Sequence, residues 1–132
     1  MPPNFSGTWV ANLSRCRFLG ASPKSLIVVI EHVGEELREE IFLTRIDSTE
    51  ERSTFQCRTN REDGATRLNG TPVHGTTRWN DQELIIETSV QLGTRDMHFR
   101  DYWSLSADGQ ALLMHHRDDD LAGQLIVLDR QV

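Results

Sequence analysis

The 132-residue chain reads as all-β: one antiparallel meander of about eight to ten strands that closes into a barrel. Three observations lead there. Short runs of β-branched and aromatic residues recur along the chain, separated by turn-forming stretches such as "VGEE", "NDQE" and "SADGQ". Several runs alternate apolar and polar residues with a period of two, as a strand with one buried face does. Helix signals are scarce. Only "SRCRFLGASPK" offers a helical turn, and Gly20 and Pro23 limit it.

In chain order, strands are expected at 7–13, 25–33, 36–46, 52–60, 73–80, 83–92, 95–106, 111–118 and 121–130. The second half is specific enough to set registers. A two-residue turn at Gly93-Thr94 pairs Val90 with Met97, Thr88 with Phe99, Ile86 with Asp101 and Leu84 with Trp103. The other face then pairs Glu87 with Arg100 and Ser89 with His98, and a one-residue slip would invert that sorting. The Asp108-Gly109 turn pairs Leu105 with Leu112, Trp103 with Met114 and Asp101 with His116. The "NDQE" loop sets Trp79 opposite Leu84.

Length and composition bound the class. A chain of 132 residues with 37% hydrophobic and 26% charged residues suits a single globular domain over residues 1–132. A net charge of −6 and a pI near 5.3 argue against a nucleic-acid partner, because no basic patch would release counterions. The longest apolar run, Leu26 to Ile30, is far shorter than a membrane span. "MPPNFSGTW" lacks a basic segment followed by an apolar one, so a cytoplasmic location is expected; a monomer or homodimer is expected as well. Cys16 and Cys57 form no CxxC pair, and reduced thiols are favoured over a disulfide.

The candidate site rests on "HFRDYWSL". Phe99, Asp101, Trp103 and Leu105 share one face, which puts a carboxylate between two aromatic residues on the apolar side. A buried carboxylate needs a charge or hydrogen-bond partner, and the register supplies His116. Asp101–His116 is either a structural bridge or the polar anchor of a ligand. Trp79, Phe99, Trp103 and Met114 are either plain core or the wall of a pocket. His115 and His98 fall on the outer face, whereas His32 and His74 read as polar residues beside turns. The runs "GEELREE" and "RDDDLAG" read as solvated turn and edge charges. Asp118 to Asp120 lack the spacing and closing glutamate of a calcium loop, and no metal or cofactor motif appears.

"FSGTWVANL" places Gly7-Thr8-Trp9, a GxW, at the start of the first strand, and Arg130 stands near the end of the chain. This resembles the signature of the calycin superfamily, the lipocalins and fatty-acid-binding proteins, in which the motif tryptophan packs under an arginine contributed after the last strand. "TRWNDQELIIETSV" and "RDYWSLSADGQALLMHHRD" resemble the second half of small bacterial lipocalin-like domains. Two further lipocalin signatures and the helix before the last strand are missing. The resemblance implies a barrel whose cavity takes a small apolar molecule. The expected function is non-covalent binding of a small hydrophobic or amphipathic ligand, lined by Trp79, Ile86, Thr88, Phe99, Asp101, Trp103, Met114 and His116. A haem barrel of the nitrobindin kind would need an axial histidine such as His74 or His116, with no second feature in support. Two alternatives stay open: an isomerase or hydrolase using Asp101–His116 as an acid–base pair, and an interaction module with a solid core.

Overall fold

In the computed structural model, which describes residues 3–59, 66–118 and 123–131, the chain is all-β and nearly closed on itself. Eleven antiparallel strands form one sheet: β1 (Gly7–Ala11), β2 (Ser25–Val33), β3 (Glu36–Thr44), β4 (Glu50–Arg58), β5 (Arg67–Leu68), β6 (Thr71–Pro72), β7 (His74–Asn80), β8 (Glu83–Leu92), β9 (Arg95–Leu105), β10 (Ala111–Asp118) and β11 (Gly123–Arg130). Their spatial order is β6-β5-β4-β3-β2-β1-β11-β10-β9-β8-β7. Each strand neighbours its sequence neighbour, except that β1 and β11 join the two ends of the chain and β6 and β7 form the two edges.

The registers expected for β7 to β10 are those found: Trp79 opposite Leu84, Ile86 opposite Asp101, Thr88 opposite Phe99, Trp103 opposite Met114 and Asp101 opposite His116. Local turn chemistry explains the agreement. Gly93 and Gly109 turn with φ of +66° and +73°, a region that glycine enters without steric penalty. Asp108 reinforces the second turn by accepting hydrogen bonds from the Ser106 hydroxyl and the Gln110 amide.

The first half departs from expectation in small ways. Two-residue strands β5 and β6 were not foreseen, because a two-residue ladder carries no periodicity. The helical turn is a short 3-10 segment, Leu13–Arg15, at the start of the proposed stretch. β3 ends at Thr44 and β4 begins at Glu50, shifting the expected boundaries. The stretch 121–122, expected to open the last strand, lies outside the described residues.

β7 lies beside β4 across the remaining seam. There the Thr77 hydroxyl donates to the Arg58 carbonyl, while the Val73 amide, donating to the Thr66 carbonyl at 3.1 Å, extends the adjoining β5–β6 hairpin. The seam is tight at Gly75, where an added Cβ would sit 2.6 Å from the Thr66 hydroxyl oxygen. Only a glycine leaves room here for the Thr66 side chain.

One end of the barrel is filled and holds its base together. Trp9 and Phe5 are fully buried, and the Trp9 indole N–H donates to the Phe5 carbonyl at 3.0 Å. The Arg130 guanidinium lies 4.3 Å from the Trp9 ring and donates to the Ser6 and Gly109 carbonyls. Phe5 stacks on Trp79 and His32 and meets Trp103 edge-on, with ring centroids 5.7–5.8 Å apart. His32 is therefore not a polar residue beside a turn. It is buried, its Nδ1 accepts from the Phe5 amide, and burial holds its pKa below the usual histidine value. The turn signal at "VGEE" concealed this, since His32 continues the inward series Leu26, Val28 and Ile30 of β2.

Candidate functional site

Beyond the filled end the barrel is hollow. Period-two alternation turns Ile86, Thr88 and Val90 of β8, Phe99, Asp101 and Trp103 of β9, and Met114 and His116 of β10 toward the same interior. They line a cavity of about 350 Å3. A second compartment of about 560 Å3, bounded by Phe18, Pro23, Leu26 and Leu43, shares Glu39, Ile41, Met114, Gln124 and Ile126 with the first. The loop after β1 forms its rim, pinned where Arg17 and Leu125 exchange backbone hydrogen bonds of 2.7 and 2.9 Å. Cavities of a few hundred Å3 with mostly apolar walls and few polar groups are the usual shape of a small-molecule site.

Seven of the eight residues proposed from the sequence border the smaller compartment: Ile86, Thr88, Phe99, Asp101, Trp103, Met114 and His116. Trp79 borders neither compartment. It sits at the end of β7, next to the turn, where the N-terminal segment enters and Phe5 stacks on it. Alternation predicts which way a side chain points but not how high in the barrel it lies.

His116 donates from Nδ1 to the Asp101 carboxylate at 2.7 Å, and the Phe99 ring stacks on its imidazole with centroids 5.4 Å apart. The hydrogen bond to Asp101 raises the His116 pKa, desolvation opposes it, and the charges of Asp101 and Asp118 add to it. Both side chains stay partly open, 31% for His116 and 26% for Asp101, so they form the wetter edge of the cavity.

The residue that sequence reasoning missed is Glu39. The run "GEELREE" reads as solvated charge, and Glu36 and Arg38 are indeed exposed, while Glu40 pairs with Arg52. Glu39 instead shares the inward face of β3 with Leu37 and Ile41, is only 5% exposed, and borders both compartments. Desolvation, then the charge of Asp101, pushes its pKa up to about 8, so it is mostly protonated at neutral pH. A signal existed: an acid in phase with Leu37, Ile41 and Leu43 is the same irregularity that marks Asp101. Cys57, also turned inward and paired with Leu37, has its thiol pushed up to about 12 by burial and by Glu39, and is inert as a nucleophile. Cys16 and Cys57 are both free.

The other histidines stand apart from this interior. His115 lies opposite Tyr102 on the outer face, and the Ser89 hydroxyl and His98 Nδ1 are 2.7 Å apart there. His74 is exposed at the start of β7 and borders an outer groove with His98, Arg100 and Tyr102. Among the described residues, no three His, Cys, Asp or Glu side chains gather as a metal site; Asp119 and Asp120 lie outside them. No described helix is long and apolar enough to cross a membrane. Compared with known proteins, the chain matches no family model and no curated protein.

Proposed function

We propose that this protein binds a small hydrophobic or amphipathic molecule, non-covalently, inside the barrel. The observation that carries the reading is the two-compartment cavity, with mostly aliphatic and aromatic walls and a minority of polar groups, among them Glu39, Asp101, His116 and Gln124 around the smaller compartment. An apolar ligand would gain by leaving water, and the polar cluster would orient it. A hollow interior also disfavours an interaction module built on a solid core. The Gly7-Thr8-Trp9 stretch, with Trp9 beneath Arg130, supports a lipocalin-like affiliation within the calycins.

The test is direct. Native mass spectrometry of the purified protein is expected to reveal a retained small molecule. After extraction, a neutral probe such as N-phenyl-1-naphthylamine should enter saturably, one per chain, and change the fluorescence of Trp103. Replacing Met114, which both compartments share, by tryptophan should block entry. A protein that takes up neither a native molecule nor the probe would speak against ligand binding.

A further inference from the structure

We infer that the ligand of this cavity is an apolar molecule bearing a protonated amine, received by Glu39 and Asp101, and that fatty carboxylates are excluded. The inference rests on the reading that the cavity takes a ligand, and it names the chemistry of that ligand.

Glu39 carries the argument. Its side chain is almost wholly buried, and no hydrogen bond or ion pair reaches it among the described residues. Yet no fully enclosed side-chain oxygen or nitrogen lacks a partner among those residues, so the Glu39 oxygens border the open cavity space. A buried polar group without a partner is unusual in a folded protein. It is explained when the missing partner is a ligand.

Charge decides which ligand. The smaller compartment is lined by two carboxyl groups and one imidazole, with no lysine or arginine among its described residues. The imidazole is already engaged by Asp101. In the larger compartment Arg45 is the one basic side chain among the described residues, and it is bound to Glu51. With His116 protonated, Asp101 and His116 cancel, and Glu39 in its carboxyl form leaves the empty cavity neutral. A carboxylate ligand would bury an unmatched negative charge beside two acids. An ammonium ligand would replace the Glu39 proton, which leaves to solvent, and the cavity would stay neutral. Three N–H donors would then meet carboxylate oxygens that otherwise lack partners.

The titratable groups that share Glu39's surroundings are Asp101 on β9, His116 on β10 and Cys57 on β4, with Arg45 and Asp47, after β3, lining the larger compartment. His32, the inward histidine of β2, is engaged with Phe5 at the filled end. Glu39, almost wholly buried at the junction of the two compartments and with its pKa pushed up to about 8, is ready to lose its proton on binding.

The experiment compares decylamine, decanol and decanoate as competitors of N-phenyl-1-naphthylamine at pH 7. Decylamine should bind about tenfold more tightly than decanol, and decanoate more weakly than either. Calorimetry in two buffers of different ionisation enthalpy should show up to about one proton released per amine bound. In Glu39→Gln the amine-to-alcohol preference should fall about tenfold, and Asp101→Asn offers a second variant should the first fold poorly. Decanol binding as tightly as decylamine, or decanoate binding best, overturns the inference and leaves ligand binding standing. If neither the neutral probe nor any of the three amphiphiles binds, both readings fall.

Discussion

Across the β9–β10 ladder, the His116 imidazole is held 2.7 Å from the Asp101 carboxylate, with the Phe99 ring stacked on its face. The bond favours the charged form of the imidazole. The folded pKa of His116 lies above its ordinary 6.5, so the pair's stabilisation is complete below 6.5 and fades as pH rises through the higher folded value. An NMR titration of the His116 ring is expected to place its midpoint above that of an unstructured histidine. In Asp101→Asn the midpoint should drop below it, since desolvation remains and the carboxylate is gone. Because both side chains are partly open, a double-mutant cycle should give a coupling of about 1 kcal/mol at pH 6 and little at pH 9. A coupling that ignores pH would show that His116 is neutral throughout.

Glu39 should make the protein less stable as the solution becomes more alkaline. Its folded pKa of about 8 stands above the ordinary 4.5, so the unfolded chain ionises first and gains stability with rising pH. Native stability is lost progressively between those two values and levels off above pH 8. Glu39→Gln removes this loss while keeping the shape. The variant should exceed the parent by about 3 kcal/mol more at pH 8 than at pH 5, measured by urea unfolding. Since His116 weakens over part of the same range in both proteins, the difference between them isolates Glu39. Parallel pH profiles would place this carboxyl in contact with water.

Arg130 ties the segment before β1 to the β9–β10 turn at the base of the barrel. It covers the Trp9 ring and donates to the carbonyls of Ser6 and Gly109, so Arg130→Ala should cost about 1–3 kcal/mol. Lysine should not restore the loss, because one ammonium cannot stack flat on the indole while reaching two separate carbonyls. Thermal unfolding of the two variants checks this. Full recovery by lysine would reduce the role of Arg130 to its charge.

The β4–β7 seam should be sensitive to a single methyl group. In Gly75→Ala the new carbon would press against the Thr66 side chain at 2.6–2.9 Å, and overpacking of this kind costs about 1–3 kcal/mol. Thr66→Gly in the same chain removes the clashing atoms and should recover part of the loss. Additive effects of the two changes, seen in chemical denaturation, would show that the Thr66 side chain gives way freely.

The sequence by itself determined the all-β class, the turns, and the registers from β7 to β10. These depend on residues near one another in the chain: Gly93 and Gly109 impose their turns, and alternation then assigns each side chain a face. The pairing of Asp101 with His116 followed from the same local rules, as did the inward turn of Trp79. Only the tertiary structure decided that Trp79 belongs to the filled end, that His32 is buried against Phe5, and that Gly75 meets Thr66 at the seam. Each depends on which segments, distant in the chain, reach the same height in the barrel. The same holds for Glu39. Its place on the inner face of β3 was visible in the spacing of Leu37, Glu39 and Ile41, but its protonation was not. That follows from losing water and from facing the charge of Asp101 across the cavity, and both exist only once the sheet has curled round to bring β3 and β9 to the same interior.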